Sequence, residues 1–223
     1  KKESFRDFEF NDRYSIAPVI TYQLTDKTLL TAEYTYQHAK MSDLGSFYSF
    51  SGAGYAKLPR GFTSTDPGLE PTQIDDHSLF LNVQHQLNDQ WKITAMGAYF
   101  DYAQTGTNLW PAVVNANGTM IRNASIWDAT NKSTFGQLFV NGELQTGGVK
   151  HRILGGIDYG DKRYLADWGQ YHDLDLAANP FNPFNTTYQL PENGYPVWDR
   201  NTPLEERAST GGTINQKYTG LYL

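Results

Sequence analysis

Residues 16–37, IAPVITYQLTDKTLLTAEYTYQ, hold two alternating runs on either side of Thr25, Asp26 and Lys27. Traced back to the start of the chain, the first run sets Phe8, Phe10, Tyr14, Ile16, Ile20, Tyr22 and Leu24 on one face. Asp7, Glu9, Asn11, Arg13, Ser15, Thr21 and Gln23 fall on the other. Successive side chains of a strand point to opposite faces, so this period of two predicts a strand with one oily and one wet side. The same test predicts seven strands, at about 4–24, 28–41, 77–87, 91–107, 135–146, 150–168 and 216–223. The third strand is marred by Phe80 and His85, and the fourth carries Phe100 and Met96 on its polar side. No stretch keeps a helical period between caps, and the fold class expected is all-β.

The connections come in two sizes that alternate. Thr25-Asp26-Lys27, Asn88-Asp89-Gln90 and Gly147-Gly148-Val149 have hairpin-turn chemistry, whereas the connections at about 42–76, 108–134 and 169–215 are several times longer. Long structureless loops are rare in compact domains and usually functional. A meander with short turns at one end and long loops at the other is the pattern of an antiparallel up-and-down transmembrane β-barrel, with the long loops outside the cell. In that arrangement Tyr and Leu touch lipid while Thr, Glu and Gln line a wet interior. Two alternatives share the alternation: a soluble β-sandwich that stacks sugars on exposed rings, and a passive porin.

Composition narrows the classes. The chain has 223 residues, 39% hydrophobic and 14% aromatic, too apolar for a disordered segment. Its longest apolar runs, such as Ala95 to Phe100, fall far short of the roughly 20 residues a membrane-spanning helix needs. A net charge of −6 without a basic stripe argues against nucleic acid. The absence of cysteine removes disulfides and thiolate chemistry. KKESFRDF has no apolar signal core and GLYL stops inside a strand, so both ends are expected to lie within a longer chain.

The run RDFEFNDRYSIAPVITYQLTDKTLLTAEYTYQ, together with KLPRGF at 57–62, HQLNDQWKI at 85–93, HRILGGIDYGDKR at 151–163 and YTGLYL at 218–223, resembles the barrel portion of TonB-dependent siderophore receptors. The resemblance is nearest to the ferric hydroxamate type, of the ferrichrome and ferrioxamine kind, and covers most of the chain except the long loops. It implies a 22-stranded barrel filled by an N-terminal plug, of which seven strands would be about a third, with the plug domain absent. It also implies the outer membrane of a Gram-negative bacterium, a ferric siderophore as ligand, contact with TonB through the missing plug region, and a setting of lipid bilayer and lipopolysaccharide. No cofactor is implied, because the iron arrives inside the siderophore.

Residues that could grip such a ligand lie in the long loops. The first offers Phe47, Tyr48, Phe50, Tyr55 and Phe62; the second offers Trp110 and Trp127; the third offers Tyr171, Phe181, Phe184, Tyr188, Tyr195 and Trp198 among stiffening prolines. The candidate ligand-binding set is Trp110, Trp127, Tyr171, Phe181, Phe184, Tyr188 and Trp198. Acids outnumber bases in the first loop (Asp43, Asp66, Glu70, Asp75 and Asp76 against Lys57 and Arg60) and in the third, which favours a neutral or cationic ligand. Catalytic readings are weak. His172, Asp173 and Asp175 could suit a metal, and Asp158 with Asp161 or Glu205 with Glu206 could form carboxylate pairs. No nucleophile elbow, paired-histidine motif or phosphate loop accompanies them, so no enzyme is expected.

Overall fold

The computed structural model describes residues 4–43, 48–185, 187–208 and 211–223. Phe47 lies outside them. The first wall strand is broken in two, β1 (Asn11–Ile16) and β2 (Val19–Thr25), both paired with β3 (Thr28–Met41). Pro18 explains the break. Its carbonyl accepts the Tyr34 N–H at 3.1 Å, but proline has no N–H to return to the ladder. The wall continues through β4 (Thr72–Gln86), β5 (Trp91–Thr105), β8 (Asp128–Thr146), β9 (Val149–Asp167) and β11 (Gly212–Tyr222). Every neighbouring pair is antiparallel.

Register carries the alternation across the whole wall. Leu30, Val83, Ala95, Leu138, Ile157 and Leu221 are successive cross-strand partners and form one outward rung. Two rungs toward the long loops the outward residues are Tyr34, Leu79, Tyr99, Thr134, Asp161 and Lys217, so the apolar rung gives way to one that is aromatic and apolar on β3 to β5 and polar or charged on β8 to β11. Ile20 is 67% exposed, Leu81 43% and Ile157 41%. Among the described residues, no protein layer covers that face. The buried apolar clusters lie instead at the loop end: Leu69, Leu109, Ala124 and Leu174 with Trp198, and Ala39, Met41 and Ile74 with Tyr102.

The residues that spoil the alternation meet one another. Phe80 and Phe100 pack edge to face at 5.3 Å, Phe100 and Phe135 at 5.9 Å, and Phe135 and Tyr218 lie 6.5 Å apart, a chain of rings along the inward face. The Tyr218 ring lies on Gly160, where a Cβ would come within 2.2 Å of its Cε1. Sequence alternation assigns these rings to the wet side, and cross-strand stacking is what they satisfy there.

Three corrections concern the long connections. Residues 107–126 are not loop but a hairpin, β6 (Thr107–Val114) and β7 (Met120–Ile126), which leaves the wall at Gly106 and Trp127, where the Trp127 N–H donates to the Gly106 carbonyl. A register shift between Pro111 and Val113 hides its period of two. β4, β8 and β11 start at Thr72, Asp128 and Gly212 rather than at 77, 135 and 216, each lengthening its strand at the expense of a long connection. The third connection contributes β10 (Tyr171–Asp173), which extends the hairpin sheet along β7, and a single helical turn, α1 (Leu204–Arg207). The short turns fall where predicted. Asn88 Oδ1 accepts the N–H groups of Gln90 and Trp91, and Gly147 takes φ +60°.

Candidate functional site

Alternation along β7 turns Met120, Arg122, Ala124 and Ile126 to the buried side. An arginine in that row is 2% exposed and has to be paired, because an isolated buried charge is prohibitively costly. Arg122 donates to Asp175 from Nε at 3.0 Å, from Nη2 at 2.9 Å and from its backbone N–H at 2.8 Å, and to Asp66 from Nη1 at 3.3 Å. The Phe181 ring covers the guanidinium with its centroid 4.1 Å from Cζ. Asp66 also accepts the hydroxyls of Tyr195 at 2.8 Å and Tyr188 at 3.0 Å and the Gly68 N–H at 3.0 Å. Burial first, with the bond to Asp66 adding to it, pushes both phenols above the ordinary tyrosine range; the Tyr188–Tyr195 bond raises Tyr195 further and pulls Tyr188 the other way.

A second knot closes the base of the loops. Asp128 and Asp167 face each other across β8 and β9, a like-charge pair that is unfavourable alone. Arg207 Nη1 reaches both, at 3.2 and 2.8 Å. Arg200 binds Asp128 at 2.9 Å and Glu70 at 2.6 Å. The first connection, the hairpin and the third connection are thereby one stitched cap.

The cap holds a cleft of about 300 Å³. Phe8, Phe62, Phe181 and Tyr188 supply aromatic walls, with Thr63 and Gln189 as polar groups and the neutralised Arg122 at its edge. Phe8 sits at φ +62°, a conformation bulky residues avoid, and meets Tyr188 edge-on at 5.5 Å. Rigid rings with few rotatable bonds bind a bulky, rigid molecule at low entropic cost.

Of the seven candidate residues, Phe181 and Tyr188 line this cleft. Phe184 lies behind it, against the turn at Gly118, where a Cβ would be 2.7 Å from its ring. Trp110 gathers with Tyr48 at 5.0 Å and Phe50 at 5.9 Å. Trp127 leans on Trp168 at 5.9 Å. Trp198 packs on the Leu69 cluster and donates from Nε1 to Thr107 Oγ1 at 3.2 Å. Tyr171 is 74% exposed on β10. The acids weighed for metal binding diverge: His172 Nε2 donates to the Asn193 carbonyl, Asp173 accepts from Asn123, and Asp175 takes Arg122. Sequence reasoning missed Phe8, Asp66 and Arg122 as parts of the site. Only Arg122 left a readable sign, as a charge within the apolar row Met120, Ala124, Ile126.

The wall and cap define the class by architecture: part of an antiparallel up-and-down transmembrane β-barrel, closed at one end by folded loops. No family model matches the chain. It is similar to the metal-pseudopaline receptor CntO of Pseudomonas aeruginosa, 27% identical over 199 residues, which are 87% of this chain and 27% of that protein. It is also similar to the ferrioxamine B receptor of Salmonella typhimurium, 21% identical over 224 residues, covering 92% of this chain and 31% of the receptor. Among solved structures, the ferripyoverdine receptor of the Pseudomonas aeruginosa outer membrane, bound to ferripyoverdine, superposes with a TM-score of 0.63 at 18% identity. That match covers 99% of this chain and 28% of that one. The chain thus spans about a third or less of the length of these receptors.

Proposed function

We propose that these residues form part of the wall and the extracellular loops of an outer-membrane receptor for TonB-dependent uptake of a ferric siderophore in a Gram-negative bacterium. The ligand has a hydroxamate-type iron core, enters the cleft between Phe8, Phe62, Phe181 and Tyr188, and carries its iron with it. Trp110, Trp127, Tyr171, Phe184 and Trp198 stand around the cleft as outer contacts and supports. The barrel is completed by strands outside these residues, and TonB engages a plug region that also lies outside them. Lipid bilayer and lipopolysaccharide surround the outward face. The observation that carries this reading is a sheet whose apolar face is covered by none of the described residues, capped by ordered loops around an aromatic cleft. The charges at the cleft support a core without strong negative charge: one buried arginine is matched by two carboxylates, Asp66 and Asp175. Removing residues 169–211 from the full-length receptor should leave the barrel inserted and abolish saturable binding of ferrioxamine B, measured by tryptophan quenching. Unchanged affinity would refute the placement of the site.

A further inference from the structure

The first long connection looks acidic when its residues are counted, but its acids are engaged within the fold. Asp43 accepts from Thr65 Oγ1, Asp66 is held by Arg122, and Glu70 is paired with Arg200. Asp43 and Asp66 are 4% and 2% exposed. Among the described residues, neither Lys57 nor Arg60 has a carboxylate within ion-pair distance. Between residues 48 and 71 the charges without an ion-pair partner are therefore the two bases, Lys57 and Arg60.

Arg60 stands beside a second cleft, of about 490 Å³, lined by Phe5, Arg6, Ser49, Ser51, Tyr55 and Arg60 among others. It shares Pro59 and Phe62 with the aromatic cleft, so the two adjoin. The Arg60 and Arg6 guanidinium carbons lie 5.5 and 5.8 Å from the centroid of the same Phe5 ring, which holds two cations at one place. Arg6 is committed to Glu9 at 3.5 Å. Arg60 is not, and its planar fork suits a carboxylate. Ser49 and Ser51 add hydroxyls.

We propose that this second cleft is a subsite for an anionic substituent, a carboxylate, on a ligand whose bulky core occupies the adjoining aromatic cleft. Arg60 is the specificity-determining residue. The proposal rests on the receptor reading above and adds to it the chemistry of the ligand's arm. Ferrioxamine B and its N-succinyl derivative share one iron core and differ in ending the arm with an ammonium or a carboxylate. Titrated into the full-length receptor in detergent, the succinylated form should bind about threefold to tenfold more tightly at low salt. The gap should close at high salt, disappear in Arg60→Gln and persist in Arg60→Lys, which retains the charge. Equal affinities in the wild type, a preference for the ammonium form, or a gap that survives Arg60→Gln would overturn the subsite while leaving the receptor reading in place. Failure of both forms to bind would remove the hydroxamate reading and the subsite together.

Discussion

Replacing Arg122 with Met removes the charge at the centre of the cap while keeping much of the side-chain volume. Asp175 would retain only the backbone N–H of residue 122, and Asp66 would retain two phenols and the Gly68 N–H. Both carboxylates are at most 6% exposed. Removing one partner of a buried ion pair costs about 3–5 kcal/mol, because the remaining charge is uncompensated. The three donors left to Asp66 put the expected loss near the lower end, about 3 kcal/mol, or roughly a hundredfold in the opening equilibrium of the cap. Hydrogen exchange on the full-length receptor in detergent reads this directly. Segments 62–69, 120–126 and 171–199 should lose about a hundredfold in protection while β3, β4 and β5 keep theirs. Adding Asp66→Asn and Asp175→Asn to Arg122→Met should recover part of the loss, since no buried charge then remains unpaired. Protection within about threefold of wild type in the single variant would refute the pairing argument.

Leu81→Arg on the outward face should cost about 2–4 kcal/mol of barrel stability, read by denaturant titration in lipid, whereas Asn82→Arg, one residue on and facing inward, should leave the midpoint nearly unmoved. Gly118→Val meets both a φ of +89° and the Phe184 ring, and should raise hydrogen exchange across the β6–β7 turn by an amount equivalent to about 1–3 kcal/mol. Because the phenols of Tyr188 and Tyr195 titrate higher in the folded cap than in an unfolded chain, the stability they add is intact below about pH 10. It is lost as pH rises through their folded values. Difference spectra of Tyr195→Phe against wild type should show a tyrosinate signal appearing at higher pH than that of an exposed phenol; an ordinary titration would count against the burial of this phenol and its bonds to Tyr188 and Asp66.

The wall was legible because its two faces meet different surroundings, and each outward rung, such as Leu30 to Leu221, repeats the same choice on six strands. The turns were legible from Asp, Asn and Gly. The hairpin β6–β7 was not, because Pro111 and the shift beside it break the period of two, and because the sign Arg122 leaves, a charge in an apolar row, has no visible partner until Asp66 and Asp175 are brought to it from more than 50 positions away. Charge counting could not see the pairing for the same reason: Asp43, Asp66 and Glu70 have partners that no local window contains. Nor does sequence distinguish a ring that lines a cleft from one that supports it. Trp198 and Phe181 look alike as letters, but one packs on Leu69 and Leu109 while the other covers a guanidinium and faces the opening.

The cap has its own apolar cluster and its own ion pairs, whereas among the described residues the wall has no buried apolar cluster at its middle and depends on whatever borders it. Each stitch joins different segments: Asp66 to β7 and to residues 188 and 195, Glu70 to Arg200, Asp128 and Asp167 to Arg207. Grafting one of these loops onto another receptor would therefore transfer half-made contacts and strand charges on both sides of the graft. A change of ligand by transplantation, in the laboratory or by recombination, requires the three segments to travel as a set, and the strands beneath can stay as they are.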